Sequence, residues 1–478
     1  MVLTKRALLI FGDLQRIRCW VQKHVSRMGG VIMSMGGSLR QKFLAVLNHR
    51  FTMADFLKVE LLIALVLVFL LNCGYSFGPM TYAIDLVNMA LFVISARKIG
   101  SSSQGTLLFD VAFTLFAAFC MCTSIVNFIA PQWVFWEALS FGRLFVWMYL
   151  FRVYWKLNDL TRVMNLLYRV QFLNAAMVMA QYFILHLRRD NIGGMFGVIA
   201  GCNAPLNMYL CIVCVWGLSG YLSKKVKFGS LITTLFSALL IAMAAELKVF
   251  FVELAILIPL GILYCRFSRK TVAAAVAITC IMVMGIQLLG QYDPTSFNII
   301  TNPEELLGYA DMRGSGYGVS RVNVFSQLTD LFFNGDSAKQ LFGMGFGSAS
   351  QSSIALFTSD FYYANATLNY HYLVTAMLYL QVGYVGTLLY FMPFILLACT
   401  LMLKRRTLLA FDTAQSSCTA FVICIIFMLN LTYNNTAHSY LSALWAVGIS
   451  LGLFALSCLA KSSLAAAKDS ASKENHNA

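Results

Sequence analysis

Apolar runs about as long as a bilayer is thick recur along the whole chain. Twelve can be placed, near residues 59–73, 77–96, 106–130, 133–151, 166–187, 193–221, 228–245, 249–265, 271–290, 374–403, 416–431 and 439–460. Each approaches the ~20 residues that a helix needs to cross the hydrocarbon core. The expected fold is an all-α polytopic membrane protein with about twelve transmembrane helices. Charged residues are 12% of the 478 and hydrophobic ones 59%, with a mean hydropathy of +0.74. A soluble protein carries about 25% charged residues, so this composition excludes one.

Lys and Arg in short connections favour the cytoplasmic side. With a cytoplasmic N-terminus, every inward connection is basic: Arg97 and Lys98, the stretch from Arg152 to Arg169, Lys224, Lys225 and Lys227, Arg266 to Lys270, and Lys404 to Arg406. The outward connections 74–76 and 131–132 carry no charge. This frame gives a cytoplasmic basic segment at 1–55, spans one to nine in 56–290, a large outward loop at 291–371, spans ten to twelve in 372–460, and a cytoplasmic tail at 461–478. The net charge of +15 sits at segment ends, which is what membrane topology selects and which argues against a nucleic-acid partner. In the basic segment, Ile10, Leu14, Ile17, Val21 and Val25 recur at helical spacing. They suit an amphipathic helix on an anionic leaflet or one packed on the membrane domain. The tail reads as disordered. Of the thirteen cysteines most lie inside apolar runs and none in the long loop, so buried free thiols are expected. No cleavable signal peptide is evident, and no internal repeat of fixed period.

Two outward connections depart from the charge pattern. One holds Arg188, Arg189 and Asp190; the other holds Glu246 and Lys248, with Glu253 inside the following span. A charge at membrane depth costs roughly 2.5–3.5 kcal/mol, so such residues usually have a purpose. For Arg188 and Arg189 that purpose is either contact with lipid phosphates or ligand binding. For Lys248 it is either an ion pair with Glu246 or Glu253, or a ligand.

The loop 291–371 is the one long polar interruption. Arg313 and Arg321 flank a stretch rich in Gly and Ser, and Gly343, Gly345 and Gly347 follow within Leu341 to Ser348. Guanidinium groups grip phosphate oxygens, and glycine backbone lets N–H groups approach an anion; the same glycines also suit plain turns. The acids of the loop lack metal-ligand spacing, no Walker-type loop is present, and no cofactor is expected. His371, beside the next span, is placed to accept a proton from a hydroxyl or to donate to a departing diphosphate, or else to hydrogen-bond a loop carbonyl. His438 is a second candidate. Tyr317, Tyr362, Tyr363, Tyr370, Tyr372 and Tyr384 surround the loop. Their rings suit stacking on sugars or an interfacial belt.

Lys248 before the eighth span, Arg321 in a late outward loop, Leu-Phe-Gly-x-Gly-x-Gly-Ser at Leu341 to Ser348, His371 opening a helix, and Gly383-Tyr-Val-Gly386 together resemble the bacterial O-antigen polymerase and O-antigen ligase superfamily. The resemblance covers roughly residues 228–403 by motif. It implies a twelve-helix, GT-C-like glycosyltransferase architecture with a large periplasmic loop, in the bacterial inner membrane. It further implies metal-independent transfer of glycans from undecaprenyl diphosphate, with Lys248 and Arg321 on the diphosphate and His371 as the essential histidine. This chain has Tyr372 after the histidine and Val382 before Gly383, and Lys248 stands where many members have Arg. A lysine binds phosphate as a point charge rather than a fork.

Three functions follow as expectations. The first is a polymerase that joins lipid-linked repeat units into an O-antigen, capsule or exopolysaccharide, with catalytic His371 and Arg321. Lys248, Arg313, Arg321, Arg188 and Arg189 would hold the diphosphate, and a chain-length regulator is an expected partner. The second is a ligase that moves finished glycan to lipid A core or protein. The third is a lipid-linked saccharide transporter.

Overall fold

The computed structural model describes residues 51–75, 77–96, 104–265, 269–311 and 318–477. The basic segment before residue 51 lies outside these, as do Arg313 and Tyr317. Among the described residues no strand occurs.

Among the described residues nine helices lead to the loop: α1 Met53–Leu71, α2 Gly78–Ser95, α3 Leu107–Val126, α4 Pro131–Tyr154, α5 Leu157–Phe183, α6 Asn203–Leu222, α7 Phe228–Ala244, α8 Lys248–Tyr264 and α9 Arg269–Tyr292. The loop contains α10 Pro294–Thr301, α11 Pro303–Asp311, α12 Val324–Leu328, α13 Ser337–Phe342 and α14 Asp360–Asn365. After it come α15 Val374–Leu403, α16 Arg405–Leu408, α17 Ala414–Tyr433 and α18 Ser442–Asn477. Seven helices among the described residues (α3–α6, α15, α17 and α18 over Ser442–Ala465) are long and apolar enough to cross a membrane. The other five expected runs also fall on helices, α1, α2, α7, α8 and α9, and Asp55, Lys58 and Glu60 lie within α1.

Three boundaries differ from the sequence expectation. The run expected from 193 begins as 3-10 turns, and α6 starts only at Asn203. Gly194, Gly197 and Gly201 there take positive φ, which a helix interior does not supply. α5 begins at Leu157, inside the expected basic connection, where the Asp159 side chain accepts from the Lys156 N–H at 3.0 Å. The tail is helical through Asn477. Its alanines favour helix despite low hydropathy.

The helices α4, α6, α15, α17 and α18 form the centre, where Trp147, Trp216, Trp445 and Tyr390 are buried. At the end away from the loop, basic side chains meet acids or carbonyls. Lys225 pairs with Asp412 at 2.7 Å, Arg152 with Asp110 at 2.5 Å, and Arg405 donates to the Leu263 carbonyl at 2.8 Å.

α15 breaks at Gly383, whose φ of 64° and ψ of −165° are open to glycine and strained for other residues. The break frees two carbonyls, and the loop satisfies both. Met344 N–H donates to Leu380 O and Gly345 N–H to Gln381 O, each at 2.9 Å. A Cβ on Gly343 would lie 2.3 Å from the Gln381 backbone, and one on Gly383 2.4 Å from that of Leu341. The stretch 341–348 is thus a backbone-to-backbone joint between loop and broken helix. Irregular backbone at membrane depth is tolerated where protein covers it in this way.

Candidate functional site

Lys248 opens α8, directly after a turn in which Glu246 takes positive φ. Its Nζ lies 4.5 Å from the centroid of the Tyr309 ring. The side chain of Tyr309 neighbours that of Tyr433, the last residue of α17. The Tyr433 ring in turn lies 4.5 Å below the Arg321 guanidinium. Two cations far apart in sequence therefore lie on a pair of neighbouring tyrosines, with the ring faces supplying cation–π attraction.

α11 ties the two sides together. It carries Tyr309, and Asp311 at its end accepts from Ser320 Oγ at 2.6 Å and Asn323 Nδ2 at 3.1 Å. Those bonds pin the turn that bears Arg321. Among the described residues neither Lys248 nor Arg321 forms a salt bridge within 4.0 Å, and Arg321 Nη1 is buried without a hydrogen-bond partner. Burial alone would raise the Asp293 carboxyl, but hydrogen bonds from Ser296 and Thr295 and the Lys248 ammonium hold it below its ordinary value. Glu246 is raised by burial, with Arg189 and Lys248 acting against the rise.

His371 stands in the 3-10 turn Tyr370–Tyr372, just before α15. Asn435, two residues past Tyr433, donates from Nδ2 to its carbonyl at 3.3 Å. Val319 N–H, two residues before Arg321, donates to the Leu368 carbonyl at 2.9 Å. The His371 turn therefore shares both of its neighbours with the Arg321 turn. Its ring is buried among Tyr362 at 5.3 Å, Tyr370 at 5.9 Å and Tyr372 at 4.2 Å. Burial lowers its pKa, which keeps the imidazole neutral near pH 7. Nδ1 has no hydrogen-bond partner among the described residues.

The remaining expected residues divide. Arg189 is exposed and reaches Glu246 at 3.6 Å, on the rim next to Lys248. Arg188 is exposed as well. Tyr363 and Tyr372 present exposed rings, and Tyr362 is half-buried, its hydroxyl accepting from Gln351 at 3.1 Å. Tyr370 is fully buried and donates to the Ala349 carbonyl, so it packs the core and has no free face for a sugar. Tyr384 packs on Tyr379 and Phe325. Gly343, Gly345 and Gly347 form the joint on α15, with Gly347 N–H donating to Gln381 Oε1 at 2.7 Å. Their backbone is committed there.

A second buried cluster is one that the sequence does not announce. Arg143 of α4 holds Asp85 of α2 through two bonds of 2.8 and 2.7 Å, donates to the His438 carbonyl at 2.7 Å, and lies 4.2 Å from the Tyr440 ring. Glu137, earlier on α4, accepts from Gln381 and stands 3.9 Å from His438 Nε2. Burial, then the Arg143 charge, push His438 down to about 3. The available signal is Asp85 in one apolar run, and Glu137 and Arg143 in another.

Chemically, Lys248 and Arg321 offer two cations with no carboxylate in salt-bridge range among the described residues, and His371 a neutral imidazole whose Nδ1 has no partner there. That combination can bind an anion of two phosphate units and hand over or accept one proton. Among the described residues no group of three His, Cys, Asp or Glu side chains suits a metal. No family model and no curated protein matches the chain.

Proposed function

We propose that this chain is a glycan polymerase of the bacterial inner membrane. It would join undecaprenyl-diphosphate-linked repeat units into a surface polysaccharide, with undecaprenyl diphosphate as leaving group. In this reading about twelve helices span the bilayer, both termini are cytoplasmic, and residues 291–371 form the periplasmic loop. The observation that carries it is the Lys248–Tyr309–Tyr433–Arg321 array, which presents two cations on ring faces rather than on acids.

Lys248 and Arg321 would hold the donor diphosphate, with Arg189 and Arg188 at the rim. A hydroxyl on the acceptor unit attacks the anomeric carbon, the carbon–oxygen bond to the diphosphate breaks, and the negative charge that develops there meets the two cations. Such stabilisation is commonly worth ~3–4 kcal/mol for one well-placed donor. His371, neutral, takes the acceptor's proton or donates to the departing oxygen.

The test is purified full-length protein with synthetic lipid-linked repeat units. Product without an ion gradient is expected and would exclude pure transport. Arg321→Ala and His371→Ala are expected to abolish polymer at normal protein level; unchanged polymer removes that residue from the mechanism. In cells, loss of a polymerase leaves single units on the lipid carrier. Accumulation of long lipid-linked polymer instead would make the protein a ligase with the same site.

A further inference from the structure

Glu253 lies buried inside the protein, further along α8 from Lys248. Both of its oxygens act as acceptors. Asn207 Nδ2 donates to Oε2 at 2.7 Å, Cys211 Sγ lies 3.0 Å from the same oxygen, and Asn430 Nδ2 donates to Oε1. The chain of bonds continues from Asn430. Its Oδ1 accepts from Asn434 Nδ2 at 2.7 Å, and Asn434 Oδ1 accepts from the Thr436 backbone N–H at 2.9 Å and its hydroxyl at 2.8 Å.

The sense of this chain is not free. A backbone N–H can only donate, so Thr436 fixes the oxygen of Asn434. That fixes the amide nitrogen of Asn434 towards Asn430, and so the nitrogen of Asn430 towards α8. Asn430 Nδ2 also points at the Ile426 carbonyl, at 3.3 Å, which agrees with the same assignment. The last position must therefore be an acceptor, and a carboxylate is the side chain that accepts at every lone pair.

The segment held by these bonds, Asn430 to Thr436, carries Tyr433 beneath Arg321 and Asn435 on the carbonyl of His371. We propose that Glu253 is the positioning residue of the candidate site: it terminates a one-way hydrogen-bond chain that sets the height of Tyr433 and Asn435, and through them of Arg321 and His371. The role in ligand binding rests on the transferase reading; the positioning itself does not.

The need for an acceptor at the end of the chain supplies its own test. Glu253→Leu leaves the amides of Asn430 and Asn207 without that acceptor. Glu253→Gln keeps it, because the amide oxygen accepts from Asn430 while Asn207, whose Oδ1 has no other partner among the described residues, turns to accept from the new amide nitrogen. In full-length protein that remains monodisperse, amide exchange of the segment 430–438 is expected to quicken about tenfold in Glu253→Leu and stay within about threefold of wild type in Glu253→Gln. Inorganic diphosphate is expected to bind about tenfold more weakly to Glu253→Leu and nearly as well as wild type to Glu253→Gln. Exchange unchanged in Glu253→Leu, or a folded Glu253→Gln variant that exchanges as fast as Glu253→Leu, overturns the proposal. Wild-type protein that binds no diphosphate while the exchange pattern holds would overturn the transferase reading and leave the positioning chain standing.

Discussion

Arg143 and Arg321 lie on tyrosine faces at nearly the same distance, Arg143 over Tyr440 at 4.2 Å and Arg321 over Tyr433 at 4.5 Å. What differs is the rest of their bonding. Arg143 has a bidentate carboxylate in Asp85 and a carbonyl at His438, with both charged side chains nearly closed to solvent. Arg321 has no acid in salt-bridge range among the described residues, although Asp311 braces its turn through Ser320 and Asn323. One arginine is satisfied by the fold; the other is held in place by the fold and left with bonding capacity. A buried charge paired on all sides fastens helices, whereas one with an orphaned donor marks a place for something from outside.

Breaking the closed cluster gives the largest effect. Asp85→Asn leaves Arg143 buried without its counter-charge, and such a loss costs about 3–5 kcal/mol. The expected outcome is a large drop in thermal midpoint and in yield of monodisperse protein. Arg321→Gln, by contrast, is expected to leave the midpoint nearly unchanged while diphosphate binding is lost. Equal destabilisation by the two variants would show that Arg321 is structural too, and the contrast would be gone.

The two tyrosines sharpen the same contrast at a smaller scale. Cation–π contacts are worth about 0.5–2 kcal/mol. Tyr433→Leu removes the face beneath Arg321, so diphosphate affinity should fall by roughly threefold to thirtyfold with little change in stability. Tyr433→Phe keeps the face and loses only the hydroxyl next to Tyr309, so a smaller loss is expected. Tyr440→Leu should move stability and leave affinity alone. Isothermal titration with diphosphate, run beside thermal melts, separates these outcomes.

Why the sequence shows one cluster and hides the other is itself physical. Lys248 and His371 stand out as basic groups at the ends of apolar runs, and Arg321 as an arginine beside the Gly- and Ser-rich stretch of the long polar loop. Their tyrosine partners do not, since a tyrosine at a span end is ordinary interfacial composition: Tyr309 sits in a short loop helix and Tyr433 closes α17. Arg143 and Asp85 lie in runs apolar enough to hide a charge or two, and only their pairing across α2 and α4 gives them meaning. Each of the twelve apolar runs falls on a helix, because length and apolarity are local properties. The Gly343–Gly347 stretch reads as a pliable anion cradle, whereas its partner in the structure is the break at Gly383, far along the chain. Backbone joints of that kind depend on who faces whom, which periodicity does not carry.

Acid pH gives the smallest and finest test, because each cluster contains one histidine. His438 faces Glu137, Arg143 and the Phe141 ring, and is held at about 3 in the folded protein. An unfolded histidine titrates near ~6.5, so between these values the unfolded chain binds more protons than the folded one. Stability is then complete above the unfolded value and is lost as pH falls through that window, until both states are protonated near the lower one. His371 is lowered by burial alone, so its share has the same sign and begins at the same upper edge. The thermal midpoint of wild-type protein should fall steadily as the medium is acidified from about pH 6.5. His438→Gln is expected to remove most of that slope and His371→Gln a smaller part. Saturating diphosphate should flatten the His371 share, since an anion beside the ring favours its protonated form, and leave the His438 share untouched. If diphosphate flattens neither, the imidazole of His371 does not face the anion, and its place in the open cluster falls.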